Sequence, residues 1–194
     1  IDPEGSISVI DVRDPRAPIV RTASFSAFTG QEASLRAQGI RIYGPGASAS
    51  QDFEPEYITV SADGTTAFVT LQENNAIAKI DIATATVTNV FPLGEKDHGA
   101  VGNEFDASDS DGDTINIRNW AGVIGLYLPD AMASYTAADG NTYLITANEG
   151  DARTWGEDNP AYFAGDASKG FVEEFRVKHL VNRNGWAGRL NDDL

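Results

Sequence analysis

Ala62-Asp63-Gly64-Thr65-Thr66-Ala67-Phe68-Val69-Thr70-Leu71-Gln72-Glu73 recurs seventy-six residues later as Ala138-Asp139-Gly140-Asn141-Thr142-Tyr143-Leu144-Ile145-Thr146-Ala147-Asn148-Glu149, with six of twelve positions identical and no gap. Upstream, Pro55-Glu56-Tyr57-Ile58 parallels Pro129-Asp130-Ala131-Met132. Downstream of the first copy, Ile77-Ala78-Lys79-Ile80-Asp81-Ile82 matches Ile7-Ser8-Val9-Ile10-Asp11-Val12 near the start. Three matches in one order describe an internal repeat. The best-preserved unit spans 56–91 and predicts strands over 56–61, 66–71, 76–82 and 86–91, rich in β-branched and aromatic residues. Asp63-Gly64 supplies tight-hairpin chemistry, because glycine accepts a positive φ at little steric cost.

Repeated four-stranded antiparallel units of about 40 residues are the pattern of a β-propeller. The expected fold is therefore all-β: part of a β-propeller, about three four-stranded blades of a seven-bladed parent, with long loops on one face. Residues 1–25 are the remnant of one blade, 56–91 a complete blade, and about 128–180 the next, its outer strand expected over Phe171–Leu180. The long loops fall at 26–55, 93–127 and 148–170. Because closure takes about four to eight blades, the remaining blades are expected on another segment or chain. The chain opens at Ile1 and its one methionine is Met132, from which a processed piece of a longer product is expected.

The run Tyr57-Ile58-Thr59-Val60-Ser61-Ala62-Asp63-Gly64, followed by Ala67-Phe68-Val69-Thr70, resembles the YVTN-type propeller repeat. Four longer stretches resemble the bacterial choice-of-anchor I family: 39–46, Leu71-Gln72-Glu73-Asn74-Asn75-Ala76, Gly125-Leu126-Tyr127-Leu128-Pro129-Asp130-Ala131 and Thr146-Ala147-Asn148-Glu149-Gly150-Asp151-Ala152-Arg153. The resemblance implies an exported protein: secreted, periplasmic or at the cell surface. Some family members are labelled alkaline-phosphatase-like. No catalytic residues come with the resemblance.

Twenty-nine acids against fourteen bases give a formal net charge of −15 over 194 residues. Nucleic acid is gripped through a basic surface, so this balance argues against such a partner. No run approaches the roughly 20 apolar residues of a membrane helix. The absence of cysteine excludes disulfides, thiol catalysis and thiolate metal sites.

The three long loops hold fifteen acids against six bases, which raises local cation activity through the summed field. Asp106, Asp109, Asp111 and Asp113 crowd a Ser- and Gly-containing stretch and offer the oxygen ligands that Ca²⁺ takes. The spacing is not that of an EF-hand: with Gly112 as its glycine, Ala107 falls on the first ligand and Arg118 on the bidentate Glu. Glu149 and Asp151, with Glu73 in the equivalent loop of the preceding blade, form a second candidate set. Turn and capping hydrogen bonds are the alternative role for this second set, and a solvated acidic rim is the alternative for the loop face as a whole.

Nucleophile signals are weak: Ser48 and Ser50 lack the Gly-x-Ser-x-Gly elbow, and His98 and His179 fit no His-Glu-x-x-His pattern. Two expectations follow. The first is a surface binding or structural module with a calcium-binding loop face and an unknown extracellular ligand. The second is a metal-dependent phosphoesterase in which carboxylate-bound cations activate water and Arg41, Arg118, Arg153 and His98 hold the phosphate. The phosphoesterase requires metal, since a chain this acidic repels phosphate until cations invert the local charge. A short helix is expected over Thr29–Gly39, capped by Thr29.

Overall fold

The computed structural model describes residues 3–107, 114–156 and 159–174. The chain forms two compact units, Ile1–Gly150 and Asp151–Leu194.

In the first unit, strands β1 (Ser6–Asp11) and β2 (Ile19–Ser24) make an antiparallel hairpin. A 3₁₀ turn over Ser26–Phe28 and helices α1 (Glu32–Ala37) and α2 (Ala49–Asp52) follow. Strands β3 (Pro55–Val60), β4 (Thr66–Leu71), β5 (Ala76–Asp81) and β6 (Thr86–Pro92) then form one antiparallel sheet in chain order. These are the four strands expected from the repeat, displaced by at most one residue at their ends. A small lobe pairs β7 (Lys96–Asp97) with β8 (Ile124–Gly125). Strands β9 (Pro129–Thr136) and β10 (Thr142–Asn148) close the unit as a second hairpin.

The sheet lies between the two hairpins. Ala67, Val69, Ala78, Ile80, Val87 and Val90 share one face and a single apolar cluster with Ile7 and Ala23 of the first hairpin. Arg21 straps that hairpin down by donating to the carbonyls of Ile82 and Ala83. On the opposite face, the hydroxyls of Thr59 and Ser134 meet at 3.0 Å and Thr70 Oγ1 donates to the Asp130 carbonyl at 2.9 Å. Sheet faces stacked in chain order, with no closed sheet among the described residues, are the arrangement of a partial propeller.

The two Asp-Gly turns use the same chemistry. Asp63 accepts from the Thr65 N–H at 3.0 Å, and Asp139 from the Asn141 N–H at 2.9 Å; Gly64 and Gly140 sit at φ 73° and 81°. Their lengths differ. Ser61 N–H bonds the Thr66 carbonyl, whereas its counterpart Ala137 bonds Asn141, one residue earlier in the repeat. A one-residue slip turns every following side chain to the other face. Ala67 and Val69 are buried, while their counterparts Tyr143 and Ile145 point outward.

The helix expected over Thr29–Gly39 is shorter. It starts after Gln31, and Thr29 is not its cap, because the Thr29 hydroxyl is held by Ser50 Oγ at 2.9 Å. Glu32 instead accepts from the N–H groups of Gly30 (2.9 Å) and Ala49 (2.8 Å), joining α1 to α2. Aromatic rings of Phe25 and Phe53 meet edge to face at 5.2 Å beneath these helices.

In the second unit, β11 (Thr154–Trp155) pairs with β12 (Phe171–Val172), and α3 (Pro160–Phe163) is capped by Asn159. Only the start of the strand expected over Phe171–Leu180 is described, and it pairs with β11.

Ile80 is fully buried at the centre of the apolar cluster. Ile80→Ala is expected to cost about 3 kcal/mol of unfolding free energy, read from urea denaturation followed by far-ultraviolet circular dichroism.

Candidate functional site

The turn from β4 to β5, residues 72–75, organises the loop-bearing end of the first unit. Asn75 adopts φ 49°, a left-handed geometry that asparagine tolerates better than most residues. Its side-chain oxygen accepts from the N–H groups of Tyr127 (3.0 Å) and Leu128 (3.2 Å), and its amide donates to the Gly94 carbonyl at 2.8 Å. One side chain therefore holds both ends of the 93–127 loop. Asn74 Nδ2 lies 2.9 Å from the Arg41 carbonyl, the Asp52 carbonyl and Asp52 Oδ2. Asp52 in turn accepts from the N–H of Tyr43 at 3.1 Å and of Gly44 at 2.5 Å. Gln72 Nε2 donates to Glu149 Oε2 at 3.0 Å, linking the sheet to the end of β10. Gln72, Asn74, Asn75 and Asp52 are all buried. Buried polar groups that find partners rigidify what they join.

Two of the proposed ligands meet this knot. The Glu73 carbonyl accepts from Arg41 Nη1 at 2.8 Å, and the Arg41 guanidinium stacks 4.4 Å above the Tyr43 ring. Glu149 takes the Gln72 bond just described. Asp151 belongs to the second unit and accepts from the Ala152 N–H at 2.9 Å.

The 93–127 loop folds into its own lobe. His98 N–H donates to the Val123 carbonyl, and Trp120 N–H donates to the His98 carbonyl. A β-bridge joins Phe105 to Arg118. His98 packs on Phe105 with ring centroids 4.2 Å apart. Its Nδ1 lies 2.8 Å from the Asn103 carbonyl, which only accepts, so a proton is assigned to Nδ1. Trp120 Nε1 donates to the Phe105 carbonyl at 2.8 Å, and the Arg118 guanidinium lies 3.8 Å above the Trp120 ring. His98 and Arg118 thus share one lobe through Phe105 and Trp120. Arg41 sits in the knot at 72–75. Arg153 is buried in the second unit, where its N–H donates to Glu173 Oε2 at 3.2 Å.

Asp106 Oδ2 accepts from the Asn116 N–H at 2.9 Å and so helps close the base of the acidic loop. Asp109, Asp111 and Asp113 lie outside the described residues, as do His179 and Trp186. Among the described residues, no three His, Asp or Glu side chains group closely enough to hold a metal ion.

Seven carboxyls are held below their ordinary range by local donors. The Arg13 guanidinium lowers Asp11 to about 2. Ala49 N–H lowers Glu32, the Ser61 hydroxyl Asp63, Thr84 N–H Asp81, its own N–H and that of Gly102 Glu104, Asn141 N–H Asp139, and the Ser168 hydroxyl Asp166. In each, hydrogen bonding to the charged form is the main cause. These acids build turns.

The knot at 72–75 escaped the sequence reading in one respect. Its motif stood out, but only as family resemblance and candidate ligands, because nothing in a linear sequence says which loop an asparagine side chain will reach.

The chain matches the choice-of-anchor I domain over residues 1–193. It belongs to that family. The choice-of-anchor I name brings a surface or exported setting with it. No curated protein and no solved structure matches the chain. No helix among the described residues is long and apolar enough to cross a membrane.

Asn75→Ala leaves three backbone groups of two loop ends without partners. It is expected to cost about 2 kcal/mol or more and to accelerate hydrogen exchange at the Tyr127 and Leu128 amides, while the Asp63 turn keeps its protection. The depressed carboxyls give a pH dependence with a definite sign. A carboxyl whose folded value is lowered contributes stability above its unfolded value and loses it as pH falls through the folded one. The contribution is expected to fade as pH falls below the ordinary values, 4.5 for Glu32 and 3.8 for Asp11, and for Asp11 to be lost through about 2. Carbon-13 titration of the Asp63, Asp81 and Asp139 carboxyls, each with a midpoint below free aspartate, checks it.

Proposed function

We propose that this choice-of-anchor I chain is a binding or structural module of an exported or cell-surface protein, and that its loop-bearing end is the ligand face. The observation that carries the reading is the Gln72–Asn75 turn, which ties the loops around 39–54 and 93–128 to a rigid sheet end. Loops fixed on a stable scaffold are the usual means of presenting a binding surface. The remaining blades belong to another segment or chain, a reading supported by a four-stranded sheet flanked by two-stranded hairpins. The ligand is extracellular and not a nucleic acid, in keeping with the net charge of −15.

The acidic loop holds Ca²⁺ through Asp106, Asp109, Asp111 and Asp113. A base pinched by the Phe105–Arg118 bridge and by the Asp106–Asn116 bond supports this, because a closed base brings the ends of the loop together. Glu73, Glu149 and Asp151 are the second candidate ligands. A metal-dependent phosphoesterase is the alternative reading. It is favoured by one observation, that His98 and Arg118 occupy the lobe bearing the acidic loop. On that reading Arg118 supplies paired N–H donors to the phosphate and bound cations activate the water. Arg41 and Arg153 are the further phosphate ligands on that reading, Arg41 from the knot at 72–75.

Terbium is the direct test, since Trp120 next to Phe105 can sensitise an ion held in the adjoining loop. Excitation of tryptophan is expected to give terbium emission that Ca²⁺ competes away and that Asp109→Asn with Asp111→Asn abolishes. Emission unchanged in that double variant would remove the calcium loop. Phosphodiester turnover in Ca²⁺ that disappears with Arg118→Ala would replace the binding module by the enzyme.

A further inference from the structure

We propose, on the propeller-segment reading above, that the free edge of β1 is an acceptor for a strand of the remaining blades. That strand pairs antiparallel with Ser6–Asp11 as β4 pairs with β5.

The complete sheet shows what covers such an edge. Ile7-Ser8-Val9-Ile10-Asp11-Val12 is identical to Ile77-Ala78-Lys79-Ile80-Asp81-Ile82 at Ile7, Ile10 and Asp11, and the likeness extends to the fold. Strand β1 turns back into an antiparallel β2 as β5 turns back into β6. Asp11 and Asp81 close the two turns alike, each Oδ1 accepting a backbone N–H, from Arg13 at 3.0 Å and from Thr84 at 2.8 Å. Ile7 and Ile77 are both buried against the next element along the chain. Ile7 joins the cluster of the β3–β6 sheet, and Ile77 pairs with Thr70, whose hydroxyl reaches Asp130 of β9. Strands β1 and β2 therefore hold the third and fourth places of a blade. In the complete sheet the third strand has a neighbour on each side, β4 and β6; among the described residues β1 has β2 alone.

Nothing blunts this edge. Sheets protect an open edge with lysine, proline or a bulge. The outer strand β6 has two of these devices, a register shift against Lys79 and Ile80 and a terminal Pro92. Strand β1 contains neither lysine nor proline, and its six residues pair with β2 without a shift.

The partner's chemistry follows from the same comparison. The Ile82 N–H donates to the Thr65 carbonyl at 3.0 Å, so two and four residues back along the ladder Ile80 bonds Ala67 and Ala78 bonds Val69. At the corresponding places Ile10 and Ser8 turn their N–H and C=O groups to the open edge, while Ile7 and Val9 bond β2. The incoming strand presents a small residue opposite Ile10, as Ala67 lies opposite Ile80, and a β-branched residue opposite Ser8, as Val69 lies opposite Ala78. Main-chain bonds supply the affinity of an added strand, and alternate side chains fix its register.

The probe is a copy of the peptide Thr65–Gln72, joined to the N-terminus of the full chain by a Gly-Ser linker and read by amide hydrogen exchange. Without the peptide, the Ser8 and Ile10 amides are expected to exchange freely and those of Ile7 and Val9 to be protected. The tethered peptide is expected to slow Ser8 and Ile10 about tenfold or more, in step with the population of the paired form. Val69→Pro within the peptide copy removes a donor to the edge and leaves the protein body untouched, so the slowing is expected to vanish. Free exchange at Ser8 and Ile10 in the tethered chain, with Ile7 and Val9 still protected, would overturn the edge proposal and leave the propeller reading standing. Slowing that survives the proline would overturn it as well. So would protection of Ser8 and Ile10 before any peptide is attached: constant protection assigns the edge to this chain's own residues, and protection rising with concentration assigns it to a second copy. Free exchange at all four amides, with and without the peptide, would remove the blade hairpin and both readings with it.

Discussion

The side chain of Asn75 is the tie on which the loop-bearing end depends. Its backbone makes the left-handed turn from β4 into β5, and its amide meets three backbone groups, of Gly94, Tyr127 and Leu128, where the 93–127 loop leaves and rejoins the scaffold. The interior of that loop is thereby released from any duty to the fold: its lobe closes on itself through His98, Phe105 and Trp120. Asn74 does the same for the segment around Arg41 and Asp52. Adjacent asparagines in one tight turn thus separate a scaffold, which must keep its hydrogen bonds, from a surface, which need not.

The sheet beneath supplies the rigidity this arrangement needs. Small and β-branched residues (Ala67, Val69, Ala78, Ile80) let the β1–β2 hairpin approach one face closely, and the threonines on the other face give β9 directional contacts. The two faces differ in kind. Apolar contact is insensitive to small displacements, whereas hydroxyl pairs at 2.9–3.0 Å lose their value within a few tenths of an ångström. The hydroxyl side therefore sets the angle between successive sheets, and the apolar side supplies most of the stabilisation.

Much of this was legible in the sequence. The repeat of Ala62–Glu73 at Ala138–Glu149, with its Asp-Gly turns, led to the strands of the complete sheet almost residue for residue, because turn chemistry and strand pattern are both local. Register was not legible. The second turn closes one residue sooner on the same Asp-Gly pair, and that slip turns Tyr143 and Ile145 outward where their counterparts Ala67 and Val69 lie inside. The site was only partly legible for a similar reason. Clusters of acids stand out in a sequence, but their partners do not, and Asp63, Asp81, Asp139 and Asp166 are held by hydroxyl and amide groups within a few residues.

That observation bears on what the net charge of −15 means. An acid whose carboxylate caps a turn still carries its charge, and the local donors make it harder to protonate rather than neutral. The same residues that build the turns therefore sustain the negative field around the molecule at all but the lowest pH. Cation attraction and turn formation are not competing roles for these side chains. Asp63, Asp81 and Asp166 meet their turn donors through Oδ1, and Asp106 meets the Asn116 N–H through Oδ2 at the base of the acidic loop, so a carboxylate can hold its turn and still add to the field that draws cations.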